Sequence, residues 1–236
     1  MAYTVGTPSS TSQAGSATSI ATPGTLSVST GDSIIVFLTA AQDQTAAFAV
    51  SDGTNSYTLR QSVYDGSALS AGILVAENVT AGTYTVTGSW SGSRTSNAIF
   101  AVGVSGLKPS SYQTGATARQ PTPGTGTDGI TTGNMTPTEQ PACVIGLIIS
   151  FATLTAPTEG TGFTSVATGW QYGTGSDLAR LEHKQITSTS PVALTGTAAA
   201  NTSHWSLAVI LSESGAGGAG LSIPATYRPQ SVLLRM

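Results

Sequence analysis

Phe48-Ala-Val-Ser-Asp-Gly-Thr-Asn-Ser-Tyr-Thr-Leu59 opens the most regularly patterned stretch of the chain, which ends at Trp90. It continues with Ser62-Val-Tyr-Asp-Gly66, Ala71-Gly-Ile-Leu-Val-Ala76 and Thr83-Tyr-Thr-Val-Thr-Gly-Ser-Trp90. Short apolar runs alternate with polar residues and are interrupted by Asp-Gly, Asn-Ser and Ala-Gly, a pattern typical of consecutive antiparallel strands joined by tight turns. No reactive cluster interrupts the stretch. It therefore predicts a scaffold and does not by itself indicate an activity.

The composition sets the class of protein. A chain of 236 residues is long enough for one large all-β domain or two small ones. Hydrophobic residues make up 39%, which is enough to fill a core, whereas charged residues make up only 8%, against a usual share of about 25%. The surface must therefore consist mainly of Thr, Ser, Asn, Gln and Gly. Such a surface favours a secreted or assembled protein over a crowded cytosolic enzyme.

The charges and the single cysteine exclude several functions. The net charge is -3, and lysine occurs only at Lys108 and Lys184, so the chain lacks the concentrated basic footprint that nucleic-acid binding requires. Cys143 has no cysteine partner, which excludes an intramolecular disulfide and a cysteine-based zinc site. It lies in the apolar run Ala142-Cys-Val-Ile-Gly-Leu-Ile-Ile149, and we expect it to be a small buried hydrophobe rather than a nucleophile.

No targeting or membrane segment is recognised. The first residues, Met1-Ala-Tyr-Thr-Val-Gly-Thr-Pro8, lack the basic and apolar regions of a signal peptide. The longest apolar run, Val144-Ile-Gly-Leu-Ile-Ile149, is far shorter than the roughly 20 residues that span a bilayer. We therefore expect no membrane association. A β-rich, charge-poor chain without a secretion signal fits a particle that is assembled in a host cytoplasm and released by lysis.

The organisation predicted along the chain is one β-sandwich with extended ends. Residues 1–24 are predicted to be an N-terminal arm, either a flexible tail or a segment that orders against a neighbouring subunit. Residues 25–213 are predicted to form the sandwich, with a long Pro- and Gly-rich excursion at 105–140 that lacks periodicity for most of its length. Residues 214–236 are predicted to be a tail that a Gly-rich stretch joins to the sandwich and that contains several apolar residues. This tail either packs on its own domain or docks on a partner.

Several strands are predicted inside the sandwich. Residues 25–40 read as two strands joined by a Thr-Gly-Asp turn, of which the second is apolar on both faces. Residues 97–104 and 142–152 are predicted to be buried strands, and 205–211 the strand that closes the core. Residues 177–187 carry the densest charges of the chain, so a helix is conceivable. We prefer a strand there, because turn-bounded strands flank it.

Part of the chain resembles a known family. Val50-Ser-Asp-Gly-Thr-Asn-Ser-Tyr-Thr-Leu59, then Ile73-Leu-Val-Ala-Glu-Asn-Val-Thr-Ala-Gly-Thr-Tyr-Thr-Val-Thr87, then Ser105-Gly-Leu107, resembles jelly-roll-like β-sandwich domains of tailed-phage structural proteins and bacterial surface proteins. The resemblance covers about residues 25–213 in outline. It departs at Gly53-Thr54, where the family tends to have Ala-Gly-Asn. It implies an all-β, jelly-roll-like antiparallel sandwich, and it says little about function because folds host many functions.

Catalytic and metal chemistry find little support in the sequence. The carboxylates are dispersed, and Asp52 and Asp65 fit turn positions, where their side chains accept hydrogen bonds from the following backbone N–H groups. A calcium cage built from Asp43, Asp52 and Asp65 has no EF-hand spacing. His183 and His204 lie in predicted strands, and we expect surface or interface histidines because no third metal ligand is suitably spaced. We predict no enzyme activity, no metal and no cofactor.

Aromatic side chains offer a possible binding surface. Trp170-Gln-Tyr172 would place both rings on one face of a strand, where they could stack on sugar rings. Aromatic residues of a sandwich belong to the core more often than to such a platform.

Composition and resemblance together lead to a functional hypothesis. We expect a structural protein of a tailed-phage virion, such as a capsid decoration or minor head protein, that binds the major capsid protein or other virion proteins. We also expect a homo-oligomer, with a trimer favoured. The predicted contact residues lie in the tail: Ile223, Tyr227, Leu233 and Leu234. The alternative is a tail-fibre or adhesin module that binds host-surface glycans through Trp170 and Tyr172.

Overall fold

The structure, a computed structural model, describes residues 3–41, 47–64, 69–123, 129–150, 156–172, 177–197 and 203–215. Within these ranges every regular element is a β-strand and no helix occurs. The predicted all-β class is therefore confirmed. The strands are β1 (Thr4–Val5), β2 (Ser9–Gln13), β3 (Ala17–Ala21), β4 (Leu26–Val28), β5 (Ser33–Ala41), β6 (Ala49–Ser51), β7 (Thr58–Tyr64), β8 (Leu69–Ala76), β9 (Gly82–Tyr84), β10 (Thr87–Arg94), β11 (Asn97–Ser105), β12 (Leu107–Pro123), β13 (Gly129–Thr131), β14 (Ala142–Ser150), β15 (Thr164–Tyr172), β16 (Asp177–Ile186), β17 (Thr195–Thr197) and β18 (Ser203–Glu213).

The strands form two large and several small antiparallel sheets. The first main sheet has the order β11-β5-β8-β7, and both β1 and β2 pair with the outer side of β11. The second main sheet has the order β12-β18-β14-β16-β15. The first small sheet is β3-β10-β6, the second small sheet is β13-β17, and β4 pairs with β9.

Three apolar clusters hold these sheets together. The central cluster joins the two main sheets, for example through Phe37 and Phe100 on one side and Leu147 and Leu207 on the other. The first outer cluster lies between the first main sheet and the strands β3, β4 and β10. The second outer cluster lies between the second main sheet and the second small sheet. Strands β5 and β14 contribute to clusters on both of their faces, which explains their continuous apolar sequence.

The two halves of the chain repeat one topology. In the first main sheet the path β2-β11-β5-β8-β7 has the same sequence of crossovers as β12-β18-β14-β16-β15 in the second. The small sheets agree as well: β3 and β10 correspond to β13 and β17, and Thr158, which bridges to Thr197, stands in the place of β6. The bridge from Met135 to Val192 occupies the place of the β4–β9 pair. We call residues 3–105 the first half and residues 107–214 the second half.

A β-bulge aligns the halves residue by residue. On β7 the register skips Arg60, since Leu59 lies opposite Leu74 and Gln61 opposite Ile73. On β15 it skips Val166, since Ser165 lies opposite Glu182 and Ala167 opposite Leu181. Bulges insert one extra residue and locally bend the strand. The shared bulge makes Leu74 the counterpart of Glu182, and Arg60 the counterpart of Val166.

Two buried threonines confirm this alignment. Thr22 N donates to Val86 O (2.9 Å), and Val86 N donates to Thr22 Oγ1 (3.1 Å). In the second half Thr132 N donates to Leu194 O (3.0 Å), and Leu194 N donates to Thr132 Oγ1 (3.1 Å). Each threonine thus satisfies a backbone N–H where its small sheet ends.

Two glycines agree in the same way. Gly88 and Gly196 each follow the buried apolar residue and a threonine, and each lies against a main-sheet side chain. An added Cβ would meet Leu38 at Gly88 (2.2 Å) and Ile148 at Gly196 (2.8 Å). Leu38 and Ile148 are themselves counterparts, because each lies two residues beyond the residue opposite Leu74 or Glu182.

The repeat bears on the expected architecture. A single jelly-roll sandwich with terminal arms is not confirmed; the described strands form two halves of one topology, whose main sheets pack against one central cluster. Strand β7 of the first half lies beside β12 of the second, and β15 of the second lies beside β2 of the first. These two contacts are reciprocal, as in an isologous interface between two identical subunits.

Two segments differ from the expectation of an arm and an excursion. Residues 3–24 contribute β1, β2 and β3, so this N-terminal segment is part of both sheets of the first half. Nearly half of the 105–140 excursion is β12, a 17-residue strand with two register shifts. The prolines of β12 interrupt the alternating pattern by which a strand is recognised in the sequence. They are tolerated because β12 is an edge strand, and such a strand pairs on one side only.

Candidate functional site

The side chains of the predicted binding residues lie outside the part of the chain that the structure describes. Trp170 and Tyr172 lie on β15, opposite Ala179 and Asp177, but their side chains fall outside the described part of the structure. The proposed contact residues Ile223, Tyr227, Leu233 and Leu234 also lie outside the described residues. The other tryptophans belong to cores: Trp90 to the first outer cluster and Trp205 to the central cluster.

Asp52 has the turn role predicted for it. Its carboxylate accepts hydrogen bonds from Thr54 N (2.9 Å), Asn55 N (2.7 Å) and Tyr57 Oη (2.9 Å). Burial opposes ionisation, but the hydrogen bonds from Asn55, Thr54 and Tyr57 outweigh it and hold the pKa of Asp52 below its ordinary value. Asp43 and Asp65 lie outside the described residues.

Cys143 and the histidines take different environments. Cys143 is a free, fully buried thiol in the central cluster, as predicted, and burial raises its pKa. His204 is 1% exposed, so the expectation of a surface or interface histidine is wrong for it. Its strand β18 lies between β12 and β14 in the second main sheet. His183 is half-buried and contacts Tyr3.

The densest group of charges lies on one face of β16. Arg180, Glu182 and Lys184 alternate along the strand, and all three contact the segment 156–163. Arg180 Nε donates to Pro157 O (2.6 Å), Gly160 N donates to Glu182 Oε2 (3.2 Å), and Lys184 Nζ donates to Thr161 O (3.4 Å). The charges that stood out in the sequence thus bind one loop of the same half.

Glu159 and Phe163 complete this group from the side of the loop. Glu159 Oε1 accepts a hydrogen bond from Ser165 N (2.9 Å), and Glu159 Oε2 lies 3.9 Å from Arg180 Nη1. Lys184 Nζ lies 5.4 Å from the centre of the Phe163 ring, within the range of a cation–π contact. We call Glu159, Arg180, Glu182 and Lys184 the charged clamp.

Glu182 is the unusual member of the charged clamp because it is 0% exposed. Its Oε1 has no hydrogen-bond partner among the described residues. Burial raises the pKa of Glu182 to about 7, with Glu159 acting in the same direction, while the Gly160 N–H and Arg180 oppose the shift. Such a pKa would suit a general acid. No reactant can touch the carboxyl in this arrangement, since the side chain is fully covered.

The two reciprocal contacts between the halves are built differently. In the first seam, between β7 and β12, Arg60 Nη2 lies 2.5 Å from Glu77 Oε2, and the guanidinium lies 4.3 Å above the Tyr112 ring. Glu77 Oε1 also accepts hydrogen bonds from Ser111 N and from Tyr112 N (2.8 Å). A charged network therefore fills the first seam.

The second seam, between β15 and the N-terminal segment, contains a cavity of about 290 Å³. Val166 stands in the place of Arg60. Tyr3 Oη lies 2.5 Å from His183 Nδ1, with the rings edge to face. Burial raises the pKa of Tyr3 and lowers the pKa of His183. The cavity is lined by Val5, Gly6, Thr7, Pro8, Ser165, Val166 and His183.

Comparisons with protein-family models, with curated proteins and with solved structures found no match to this chain. In the part of the chain that the structure describes, no three His, Cys, Asp or Glu side chains are grouped to hold a metal ion. The same residues contain no helix long and apolar enough to cross a membrane.

The charges of 177–187 stand out in the sequence, but the loop that they bind does not. Neither seam can be recognised from the sequence, because the residues that form each seam lie far apart in the chain. A shared apolar-Thr-Gly signal could have indicated the repeat: Val86-Thr87-Gly88 and Leu194-Thr195-Gly196.

Proposed function

We propose that the protein is a non-enzymatic structural component of a tailed-phage virion, a capsid decoration or minor head protein. The observation that carries the proposal is the use of its few charges. Arg60 pairs with Glu77, Lys108 with Glu139, and Arg180 with Glu159. Asp52 accepts hydrogen bonds from Thr54 and Asn55 within its own turn. Charges that hold strands and loops together serve a durable scaffold rather than a reaction.

The attachment is proposed to lie in the tail beyond Gly215. Leu59, at 43% exposure, is the large hydrophobic side chain found exposed among the described residues. A stable interface usually needs a central apolar patch, and the described surface does not offer one. The tail does carry apolar residues, namely Ile223, Tyr227, Leu233 and Leu234. Burial of these residues on the major capsid protein or another virion protein would supply the missing contact.

Co-sedimentation with purified virions, called particles below, tests the attachment. We expect the full-length chain to co-sediment with particles and a chain lacking residues 215–236 to remain in the soluble fraction. A fourfold variant, Ile223→Ser, Tyr227→Ser, Leu233→Ser and Leu234→Ser, should behave like the truncation. Leu59→Ser is the matched control, since it removes an exposed apolar side chain outside the tail, and it should stay on particles. If full-length protein is absent from particles, the proposed function fails; if the truncation still binds, the tail is not the anchor.

The second candidate function, binding of host-surface glycans, is favoured by the second seam. Its cavity has the size of a small-ligand site and an uncharged lining. Val5, Pro8 and Val166 provide an apolar wall, and Thr7, Ser165 and His183 provide hydrogen-bonding groups. Sugars present the same combination of apolar faces and hydroxyl edges. The strand that carries Ser165 and Val166 continues to Trp170 and Tyr172.

A glycan array tests this candidate. We expect saturable binding by the wild type and its loss in Val166→Arg, which places in the cavity the side chain found at the equivalent position of the first seam. Trp170→Ala separates the two predicted sites, because it leaves the cavity lining intact. An array without hits would eliminate the candidate.

A further inference from the structure

The buried face of β16 differs from its counterpart in a way that the scaffold does not require. Glu182 stands where the first half has Leu74, which is 2% exposed in the first outer cluster. Gly146 lies opposite Glu182, where Val36 lies opposite Leu74. The second half has therefore exchanged an apolar pair for a carboxyl group beside a glycine.

Of the two carboxyl oxygens of Glu182, one has a hydrogen-bond partner among the described residues and one does not. Oε2 accepts the Gly160 N–H, whereas Oε1 is buried without a partner among the described residues. Burying an ionised carboxylate is costly unless it is fully hydrogen-bonded and paired. The same group in its neutral form is far less costly to bury. The arrangement thus favours the protonated acid while the loop is closed.

We propose that Glu182 is a proton-operated latch, which holds residues 156–163 on the second main sheet when its carboxyl is neutral and releases them when the carboxyl is ionised. The loop is suited to such control because most of its other attachments are polar contacts, which water can replace when the loop opens. Arg180 holds Pro157 O, Lys184 holds Thr161 O, and Thr158 exchanges hydrogen bonds with Thr197.

The surrounding charges act in both directions. Arg180 and Lys184, on the same face of β16, favour the ionised form, and Glu159, on the loop itself, opposes it. His183 points to the opposite face, toward the second seam. The second small sheet brings no charged residue among its described members, Gly129–Thr131 and Thr195–Thr197. Burial outweighs the two cations, since the pKa of Glu182 stays raised.

The direction of the pH response follows from linkage. In the closed loop the pKa of Glu182 is about 7, and in the open loop it returns toward its ordinary value of 4.5. Between these values the closed form binds more protons, so the closed form is favoured at low pH and loses this advantage as the pH rises. The opening constant should rise about tenfold per pH unit from about pH 4.5 to about pH 7 and level off above that.

Opening has a defined structural consequence. Phe163, 7% exposed, belongs to the loop segment and packs in the second outer cluster with Leu194 and Ile148. Release of the segment would expose part of this cluster. The first half, with Leu74 under Phe48, has no titratable group at the corresponding place and should show no such response.

Hydrogen exchange of the full chain between pH 5 and pH 8 tests the latch. The Thr158 amide, which donates to Thr197 O (2.9 Å), reports the loop, and the Thr22 amide, which donates to Val86 O (2.9 Å), reports the first half. After correction for intrinsic exchange rates, we expect the Thr158 amide to open more readily than the Thr22 amide, with little sensitivity to low denaturant. Its opening constant should rise about tenfold per pH unit up to about pH 7.

Two variants complete the experiment. Glu182→Gln keeps the shape and removes the titration, and Glu182→Leu installs the residue of the first half. Both should abolish the pH dependence of the Thr158 amide, and Glu182→Leu keeps the test decisive if Glu182→Gln folds poorly. The latch is refuted if the wild-type slope persists in the variants. It is equally refuted if the Thr158 and Thr22 amides have the same protection at every pH, because the loop would then open only on global unfolding.

Discussion

The two halves hold an equivalent segment on the main sheet by different contacts, apolar in the first half and polar in the second. In the first half Phe48 lies over Gly72, beside Leu74 and Ala76, so the segment before β6 is held by apolar contact. In the second half the equivalent positions on the strand are Arg180, Glu182 and Lys184, which hold residues 156–163 by hydrogen bonds. The comparison teaches that the scaffold requires a segment to be held at this place and does not specify how.

The seams differ in the same manner. Arg60, Glu77 and Tyr112 fill the first seam, whereas Val166, Gln185 and Val5 occupy the equivalent positions of the second. Gln185 turns to Glu213, to which its Nε2 donates (3.1 Å). The same backbone arrangement therefore holds a charged network in the first seam and a cavity in the second.

The largest effect should come from making the first half resemble the second. Leu74→Glu should destabilise the protein by about 3–5 kcal/mol at pH 7.5, because it removes a buried leucine and buries an unpaired carboxylate. Urea unfolding measures the change. Leu74→Met is the control and should cost less than about 1.5 kcal/mol. A loss below about 1 kcal/mol for Leu74→Glu would mean that the first half can open or hydrate at this place as readily as the second.

The equivalent glycines provide a second comparison. Gly196→Ala should cost about 1–3 kcal/mol, because its Cβ would meet Ile148 and the Thr158 carbonyl oxygen at 2.8 Å. Gly88→Ala should also cost about 1–3 kcal/mol, since its Cβ would come within 2.2 Å of Leu38, whose side chain is fully buried. Gly129→Ala is the matched control, with no atom within 4 Å of the added Cβ. Thermal unfolding of the three variants ranks them, and equal losses at all three positions would contradict the close approach.

The buried threonines should respond alike in both halves. Thr22→Val and Thr132→Val keep the side-chain shape but leave the N–H of Val86 or Leu194 without its acceptor, at a cost of about 1–2 kcal/mol each. Chemical denaturation of the single variants and the double variant measures the costs and their additivity. A neutral result at one position only would show that the two hydrogen bonds are not equivalent.

The smallest effects belong to the seams. Arg60→Val should cost about 1 kcal/mol, because it removes a half-buried ion pair and leaves Glu77 with neutral donors only. Val166→Arg should also cost about 1 kcal/mol, because it gives up the contact of Val166 with the central cluster and places the guanidinium beside Gln185 instead of a carboxylate. Equilibrium unfolding tests both. A large loss in Val166→Arg would show that the second seam cannot accept the arrangement of the first.

The sequence predicted the elements better than their assembly. The apolar runs around Phe100, Leu147 and Leu207 correspond to β11, β14 and β18, because burial on both faces of a strand leaves a continuous apolar signature. The turn at Asp52 was also readable, since its partners are local. The charged stretch 177–187 is the strand β16, in agreement with the preference for a strand.

Pairing order left no comparable signature. The repeat is carried by which strands lie side by side, and in sequence the halves share little more than Thr87-Gly88 and Thr195-Gly196. The strand β12 was missed because Pro109, Pro121 and Pro123 are compatible with an edge strand. The charged clamp and the seams depend on residues that are distant in the chain, so no local pattern could place them together.

The way each half is closed has a consequence for synthesis. Strand β11 at the end of the first half pairs with β1 and β2 at its beginning, so the first main sheet can be completed once Ser105 has been made. Its face with Phe37 and Phe100 is then not fully covered until β18, the last strand of the second main sheet, has been made. At the usual rate of translation this interval lasts roughly 5–20 s. During that time the nascent chain exposes apolar surface and is prone to aggregation. We expect the overexpressed protein to depend on chaperones or on slow translation between the halves.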